Sequence, residues 1–319
     1  MKIDTRLAVV HAGRGWYLPY TLSQAKFVSP ESEVVFIGDT PAVARLVGVV
    51  REPMDSIGAK RFEDQYEHRH RRSRQVELIA WLRWFYLLEY MRRREVKSVL
   101  YLDSDVLLLS SMSKLVDVYG EVVSDCGLEI PKQEHESYNW LASGGVSYWT
   151  RAALEDFCEF ALESFRDSTY VSMYEQKWDW AQRTGLKGGM GGAGISDMTT
   201  LYLWWRERRA EVFNFSKVYH GNVIDHSFQV SMNHLQDEYE VDENGMKRYE
   251  WIDGELFFVK ANSSRDRVRA HACHFSGGAK PLIRELYSGP RPFRGKAFAD
   301  VQHWLGSTRR SAERILRRE

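Results

Sequence analysis

Neither sign of charge is in excess. The 319 residues hold 44 Lys and Arg against 44 Asp and Glu, so no bulk field points to nucleic acid or to an acidic partner. Cysteine is scarce. Cys126, Cys158 and Cys273 are odd in number and lack pair-like or zinc-like spacing, which argues against a disulfide framework and for a reducing compartment. No apolar run approaches the ~20 residues that a spanning helix needs, and Met1 to Arg6 lacks an apolar leader core, so a cytoplasmic chain is expected. Repeats, low-complexity segments and linkers are missing too, which leaves one large globular body with a substantial core.

Against that plain background one stretch stands out. Val99 to Leu109 is an apolar run that reads as a buried strand, yet it contains Asp103 and Asp105. Side chains alternate faces along a strand, so both carboxylates point the same way. Converging like charges beside a core need either a shifted protonation or a cation between them, and a hard divalent ion is the simplest solution. Capping of a turn, or of the helix expected near Ser113, is the structural alternative.

The rest of the chain gives that stretch a setting. A strand at Leu7 to Ala12, a helix from Leu18 to Phe27, a strand at Glu33 to Ile37 and a short helix after Pro41 begin a β-α-β-α alternation. This predicts a mixed, mostly parallel sheet flanked by helices, with ligands beyond the carboxyl ends of the strands. Gly13, Gly15 and Asp39 fall at those ends. A helix over Arg74 to Arg94, with Ile79, Leu82, Phe85, Tyr86, Leu88 and Met91 at helical spacing, feeds the D-x-D strand. Arg83 on it reaches the same crevice or stays at the surface. Further strands are expected at Cys126 to Ile130 and, after a glycine turn, towards Trp149, followed by a helix over Ala152 to Phe165. Gly188 to Gly194 leads through Ser196 and Asp197 into a helix at Met198 to Trp205, where Ser196 or Asp197 serves as a cap and Asp197 otherwise offers a carboxylate to a polar ligand. Turn dipeptides Asn244-Gly245 and Asp253-Gly254 predict a small antiparallel insertion over Tyr239 to Lys260.

A late strand, Arg269 to Phe275, carries His274 into a glycine turn with Lys280. Two Asp oxygens and a neutral imidazole suit Mn²⁺ or Mg²⁺ with positions left for phosphate oxygens, and the nitrogen favours Mn²⁺. His271, three residues earlier, points to the opposite face, and the remaining histidines read as structural. The basic runs Arg69 to Arg72, Arg92 to Arg94 and Arg309 to Arg318 read as solvated helix faces or ends. Trp178, Trp180, Tyr202, Trp204 and Trp205 offer either a stacking platform for an acceptor or plain core.

Leu102-Asp103-Ser104-Asp105 joined with His274-Phe275-x-Gly277-x-x-Lys280-Pro281 resembles the GT-A glycosyltransferases, especially glycosyltransferase family 8 and its relatives. The resemblance implies a GT-A, Rossmann-like fold and a metal-dependent transfer of a hexose from a nucleotide-sugar, in the first instance a UDP-sugar, to a glycan, glycolipid or protein acceptor. It implies Mn²⁺ (or Mg²⁺) held by Asp103, Asp105 and His274, with Gly277 and Lys280 on the phosphates and Arg83 on the diphosphate or sugar. Ala12, Gly13, Tyr17 and Asp39 would lie near base and ribose, with Ser104 also on the donor. Asp197 grips the sugar or acts as base. Met198 stands where the family has a glutamine, and Ala142-Ser143-Gly144 where it has an N-[SA]-G turn. The implied organisation is a single domain over 1–288, with a nucleotide-binding half at 1–110 and an acceptor and sugar half at 111–288. A basic helical extension follows at 289–319, whose Ile315 and Leu316 among arginines offer a peripheral contact with an anionic membrane. Two rivals use the same residues: a haloacid dehalogenase-like phosphatase with Asp103 as nucleophile, although Leu107 replaces its threonine, and a nucleotide-sugar-binding module without turnover.

Overall fold

The computed structural model describes residues 1–41, 43, 46–130, 138, 140–184, 194–208, 212–225, 227–229 and 238–290. Residues 188–193 of the glycine run, most of the short helix expected after Pro41, and His135, His226, His234 and His303 lie outside the described residues. So do the extension beyond residue 290 and the membrane contact expected of it.

The chain begins as β1 (Arg6–His11), α1 (Leu18–Val28), β2 (Val34–Gly38) and β3 (Val49–Glu52), then α2 (Ile57–Gln65) and α3 (Arg74–Arg93). β4 (Ser98–Leu102) and β5 (Val106–Leu108) follow, then α4 (Met112–Tyr119), β6 (Cys126–Glu129) and β7 (Ser143–Thr150). α5 (Arg151–Ser164), α6 (Ser168–Arg183) and α7 (Asp197–Glu207) precede β8 (Val212–Asn214) and β9 (Asn222–Asp225). β10 (Tyr249–Ile252), β11 (Glu255–Val259), β12 (Arg267–His274) and α8 (Leu282–Leu286) complete the described elements. No helix among them is long and apolar enough to cross a membrane.

A seven-stranded sheet runs in the order β3-β2-β1-β4-β7-β6-β8, in which only β7 opposes its neighbours. Its inner strands β1, β2, β4, β6 and β7 are buried almost throughout, as expected when helices cover both faces. On one face α3 lays down Trp81, Trp84, Phe85 and Leu88, which join Trp149, Phe157 and Trp204 in one aromatic core. Truncating such a ring costs ~3–5 kcal/mol, so α3 is held firmly. A second sheet has the order β10-β11-β12-β5, with β9 alongside β12.

The D-x-D stretch is therefore not one strand. β4 ends at Leu102 in the first sheet and β5 begins at Val106 in the second, so Asp103, Ser104 and Asp105 form the corner between sheets. The apolar pattern is continuous because both flanks are buried, each in its own sheet. The glycines at 144 and 145 are likewise no turn: they lie within β7, where a Cβ on Gly144 would collide with the Trp84 ring. Nor is the Arg69 to Arg72 run a helix face. It is an irregular loop ahead of α3, with His70 buried. Cys126, Cys158 and Cys273 are all buried and free.

Candidate active site

The first sheet reverses its strand order at β1, whose neighbours are β2 on one side and β4 on the other. In such sheets the crevice beyond the carboxyl ends at the reversal is where ligands bind. Asp103 directly follows the end of β4 there. Its backbone N–H donates to Gly145 O at 2.7 Å, and Val106 N–H donates back to Asp103 O at 3.1 Å, which fixes the corner. Ser104 contributes its carbonyl, which accepts from Thr21 Oγ1 of α1 at 2.7 Å.

The second sheet brings the imidazole. His274 pairs in register with Val106, and Phe275 N–H donates to Asp105 O at 2.9 Å, so the end of β12 is stitched to the corner. His274 Nε2 lies 3.3 Å from Asp105 Oδ1 and 3.9 Å from Asp103 Oδ2. One donor atom from each of the three residues falls within 4.8 Å of the others. Two carboxylate oxygens and one imidazole nitrogen at that separation fit a divalent ion of the Mn²⁺ or Mg²⁺ kind, and the mixed donor set favours Mn²⁺.

Charge around the triad is arranged by partners. Burial disfavours the Asp105 carboxylate, but His274 and Lys280, which ion-pairs with Asp105 Oδ2, hold its pKa well below the usual range. Burial also works against an imidazolium at His274, yet Asp105 and then Asp103 raise its pKa to about 9. Behind the ring sits Glu129, whose carboxyl is pushed up to about 8 by burial, with His274 opposing. Gly145 separates the two: a Cβ there would come within 2.9 Å of His274 Nδ1 and 3.3 Å of Glu129 Oε2.

Arg83 does reach the crevice. Its guanidinium donates to Asp103 Oδ1 and, at 2.6 Å, to Asp197 Oδ2, while stacking 4.6 Å over Trp84. Burial opposes its charge, but Asp103 foremost among its neighbours holds its pKa well above normal. Asp197 is not the cap of α7. Ser196 takes that place in a capping box with Thr199, so Asp197 Oδ2 accepts from Arg83 and from Trp84 Nε1 at 3.1 Å.

Tyr17, Arg83, Asp103, Asp105, Asp197, His274, Gly277 and Lys280 thus line one cleft of about 410 Å³. Ala12, Gly13 and Asp39 lie exposed at the ends of β1 and β2, where Gly13 N–H donates to Asp39 Oδ1 at 3.2 Å. Gly277 begins a single 3₁₀ turn at φ +57°, which sets Lys280 back toward Asp105. His271 turns away, its ring held between Ser110 Oγ at 2.7 Å and Asn222 Oδ1 at 2.8 Å. Of the aromatic residues expected as platform or core, Tyr202, Trp204 and Trp205 are core, whereas Trp178 and Trp180 are half-buried on α6.

No protein-family model matches the chain, and no curated protein matches it. Among solved structures it is similar to mouse xyloside xylosyltransferase 1 in the apo form, at 11% identity and a TM-score of 0.41 over 70% of this chain and 86% of that one. It is also similar to the galactosyltransferase LgtC in complex with donor and acceptor sugar analogues, at 16% identity and a TM-score of 0.47 over 95% and 99% of the two chains. An active-site mutant of LgtC gives 16% identity and a TM-score of 0.46 over 92% and 100%.

Three further residues of this cleft and its surroundings carry no functional signal in the sequence. Glu129 lies within an apolar strand, and Glu77 and His70, the latter read as structural, line the far end of the cleft and pair there.

Proposed function

We propose that this chain is a GT-A-type glycosyltransferase that moves a hexose from a nucleotide-sugar donor, a UDP-sugar in the first instance, to a glycan, glycolipid or protein acceptor. The observation that carries the reading is the meeting of Asp103, Asp105 and His274 from two sheets at the strand-order reversal, with Lys280 and Arg83 beside them. Glycosyl transfer needs that arrangement: the diphosphate departs with an electron pair, and fixed positive charge stabilises it. A Mn²⁺ or Mg²⁺ ion held by the triad supplies Lewis acidity to the phosphate oxygens. Lys280, now on Asp105, is placed to trade that carboxylate for a phosphate.

Tyr17 and Gly277, which line the cleft, face the donor in this reading, while Ala12, Gly13, Asp39 and Ser104 take the nucleoside rim around it. Asp197 holds the sugar's hydroxyls in preference to acting as base, because two donors already engage its Oδ2. Residues 1–110 form the nucleotide half and 111–288 the sugar and acceptor half of one domain working in the cytoplasm. A dehalogenase-like phosphatase fits less well, since Leu107, where that chemistry needs a hydroxyl, is fully buried in β5.

Thermal-shift screening of nucleoside diphosphates and their sugar conjugates, with and without Mn²⁺, tests the reading. A true ligand at ~100 times its Kd adds about 2.7 kcal/mol of stability. Mn²⁺-dependent stabilisation that survived in Asp103→Ala and His274→Ala would remove the proposed ligands, and binding without release of free nucleoside diphosphate would leave a binding module.

A further inference from the structure

The cleft continues past Arg83 and Asp197 to a second end, walled by Val76, Glu77 and Ala80 of α3, His70 and Arg72 of the preceding loop, and Ser196. Glu77 and Arg83 lie six residues apart on α3, about 120° round the helix and roughly 9 Å along it, and both line this cleft.

The polar groups at this end form an unusual trio. Glu77 Oε1 lies 3.2 Å from His70 Nδ1 and 3.4 Å from Arg72 Nη1, and the Arg72 backbone N–H donates to the same His70 Nδ1 at 3.1 Å. A ring nitrogen that accepts from a backbone N–H carries no proton of its own, so Nδ1 is not a donor to Glu77. The imidazole sets no positive charge against the carboxyl, and burial favours the protonated form of Glu77. Both side chains are about as buried as the core, each 1% exposed. Burial pushes Glu77 up to about 7, with Asp197 adding and Arg72 opposing, and the same burial pulls His70 down to about 3. The charged or titratable groups facing the pair are His68, Arg71 and Arg72 from the loop, Arg83 on α3, Lys177 on α6 and Asp197 on α7.

The wall that carries the pair is fixed to the wall that carries Asp197. Ile195 N–H donates to Arg69 O at 2.7 Å, and His70 bridges to Gly194. Gly194 has φ +119°, and a Cβ there would collide with the Arg69 carbonyl. Only glycine permits this approach.

We propose that Glu77, backed by His70, is a specificity-determining residue that hydrogen-bonds the hydroxyls of the transferred sugar remote from its anomeric carbon, while Arg83 and Asp197 hold the near side. The inference rests on the nucleotide-sugar reading above. A neutral carboxyl both donates and accepts, so it matches a sugar hydroxyl without setting a second negative charge beside Asp197.

Calorimetry on the full chain with Mn²⁺ and no acceptor tests it. The nucleoside diphosphate that binds best among uridine, guanosine, adenosine and cytidine forms is compared with its glucose, galactose, N-acetylglucosamine and xylose conjugates. Glu77→Ala should weaken the preferred conjugate tenfold or more, leave the bare diphosphate unchanged and level the preference among conjugates that differ at C4 or C6. Glu77→Gln, which keeps a neutral donor and acceptor, should stay within a few-fold of wild type. Unchanged conjugate affinities in Glu77→Ala overturn the inference, as does an equal loss for diphosphate and conjugate, which marks a structural role. So does a Glu77→Gln variant as weak as Glu77→Ala. If wild type binds no diphosphate at all, the nucleotide-sugar reading itself fails and this one falls with it.

Discussion

Arg83 donates to Asp197 at 2.6 Å while its other nitrogen holds Asp103, so one guanidinium ties α3 to the D-x-D corner and to the first residue of α7. Asp197 is nearly fully buried, and Arg83 exposes little more. Removing the cation leaves the buried Asp197 and the partly exposed Asp103 without their shared partner, a loss of about 2–4 kcal/mol. Arg83→Ala should therefore lower the urea midpoint clearly. Arg83→Lys should fold better yet lose about 10²–10³ in donor turnover, because an ammonium cannot fork to both carboxylates and act as the fixed clamp. Wild-type turnover in the lysine variant would show that the fork has no part in the chemistry.

His274 and Asp105 make the proposed metal binding depend on pH. With the imidazole pKa raised to about 9 beside that carboxylate, the free triad carries a proton that an ion must displace. Mn²⁺ affinity should then rise with pH between about 6 and 9, approaching one proton released per ion. Calorimetry in two buffers of different ionisation enthalpy measures that number directly. Zero protons released at pH 7 would mean that His274 is not a ligand.

Much of this site was legible in the sequence because its chemistry is concentrated in residue types that rarely coincide. Two acids in an apolar run and an imidazole before a glycine-lysine turn carry a meaning that does not depend on the fold. The opening β-α-β alternation was legible for the same local reason, as α1 and β2 follow their apolar spacing. What stayed hidden was set at long range. Val99 to Leu109 is equally apolar whether it is one strand or the corner between two sheets. Gly144 and Gly145 signal a turn locally, yet they are glycines because Trp84 and His274 crowd β7. α6 buries only Tyr174, Lys177 and Ala181, too sparse a stripe to mark a helix. His70 looked solvated among arginines because nothing local showed that Glu77 would be brought against it.

Glu129 makes a prediction about stability in the metal-free chain. Its pKa of about 8 in the fold, against ~4.3 for an unfolded glutamate, means that the folded state binds more protons between those values. Stability must fall as pH rises through that window. His274, raised from its ordinary value to about 9, stabilises below about 6.5 and loses that contribution as pH climbs through 9, so the two effects add from pH 6.5 to 8. Glu129→Gln should remove the decline from about pH 5 to 6.5 and leave, from about 6.5 to 9, only the slope that belongs to His274. Parallel urea midpoints for wild type and variant across pH 5, 7 and 9 would show that Glu129 does not hold its proton.

Gly145 offers the sharpest separation between fold and site. It lies in β7 with its carbonyl accepting from Asp103 N–H at 2.7 Å, so the backbone is anchored to the corner that carries Asp103 and Asp105. A methyl group at this position would come within 2.9 Å of His274 Nδ1 and 3.0 Å of Cε1, closer than carbon and nitrogen tolerate, while Glu129 at 3.3 Å blocks retreat on the other side. The backbone is held by the ladder and the ring is the part able to move, so the ring must yield. Gly145→Ala should thus displace the imidazole from the two carboxylates and weaken Mn²⁺ binding by about 10–100-fold, the scale on which misplaced outer partners affect metal sites. The strand itself should survive, with a stability change of about 1–2 kcal/mol, since alanine has ordinary strand geometry here and overpacking costs ~1–3 kcal/mol. Measuring Mn²⁺ affinity and urea midpoint on the same sample decides the point: unaltered affinity with lowered stability would place the ring elsewhere than against β7.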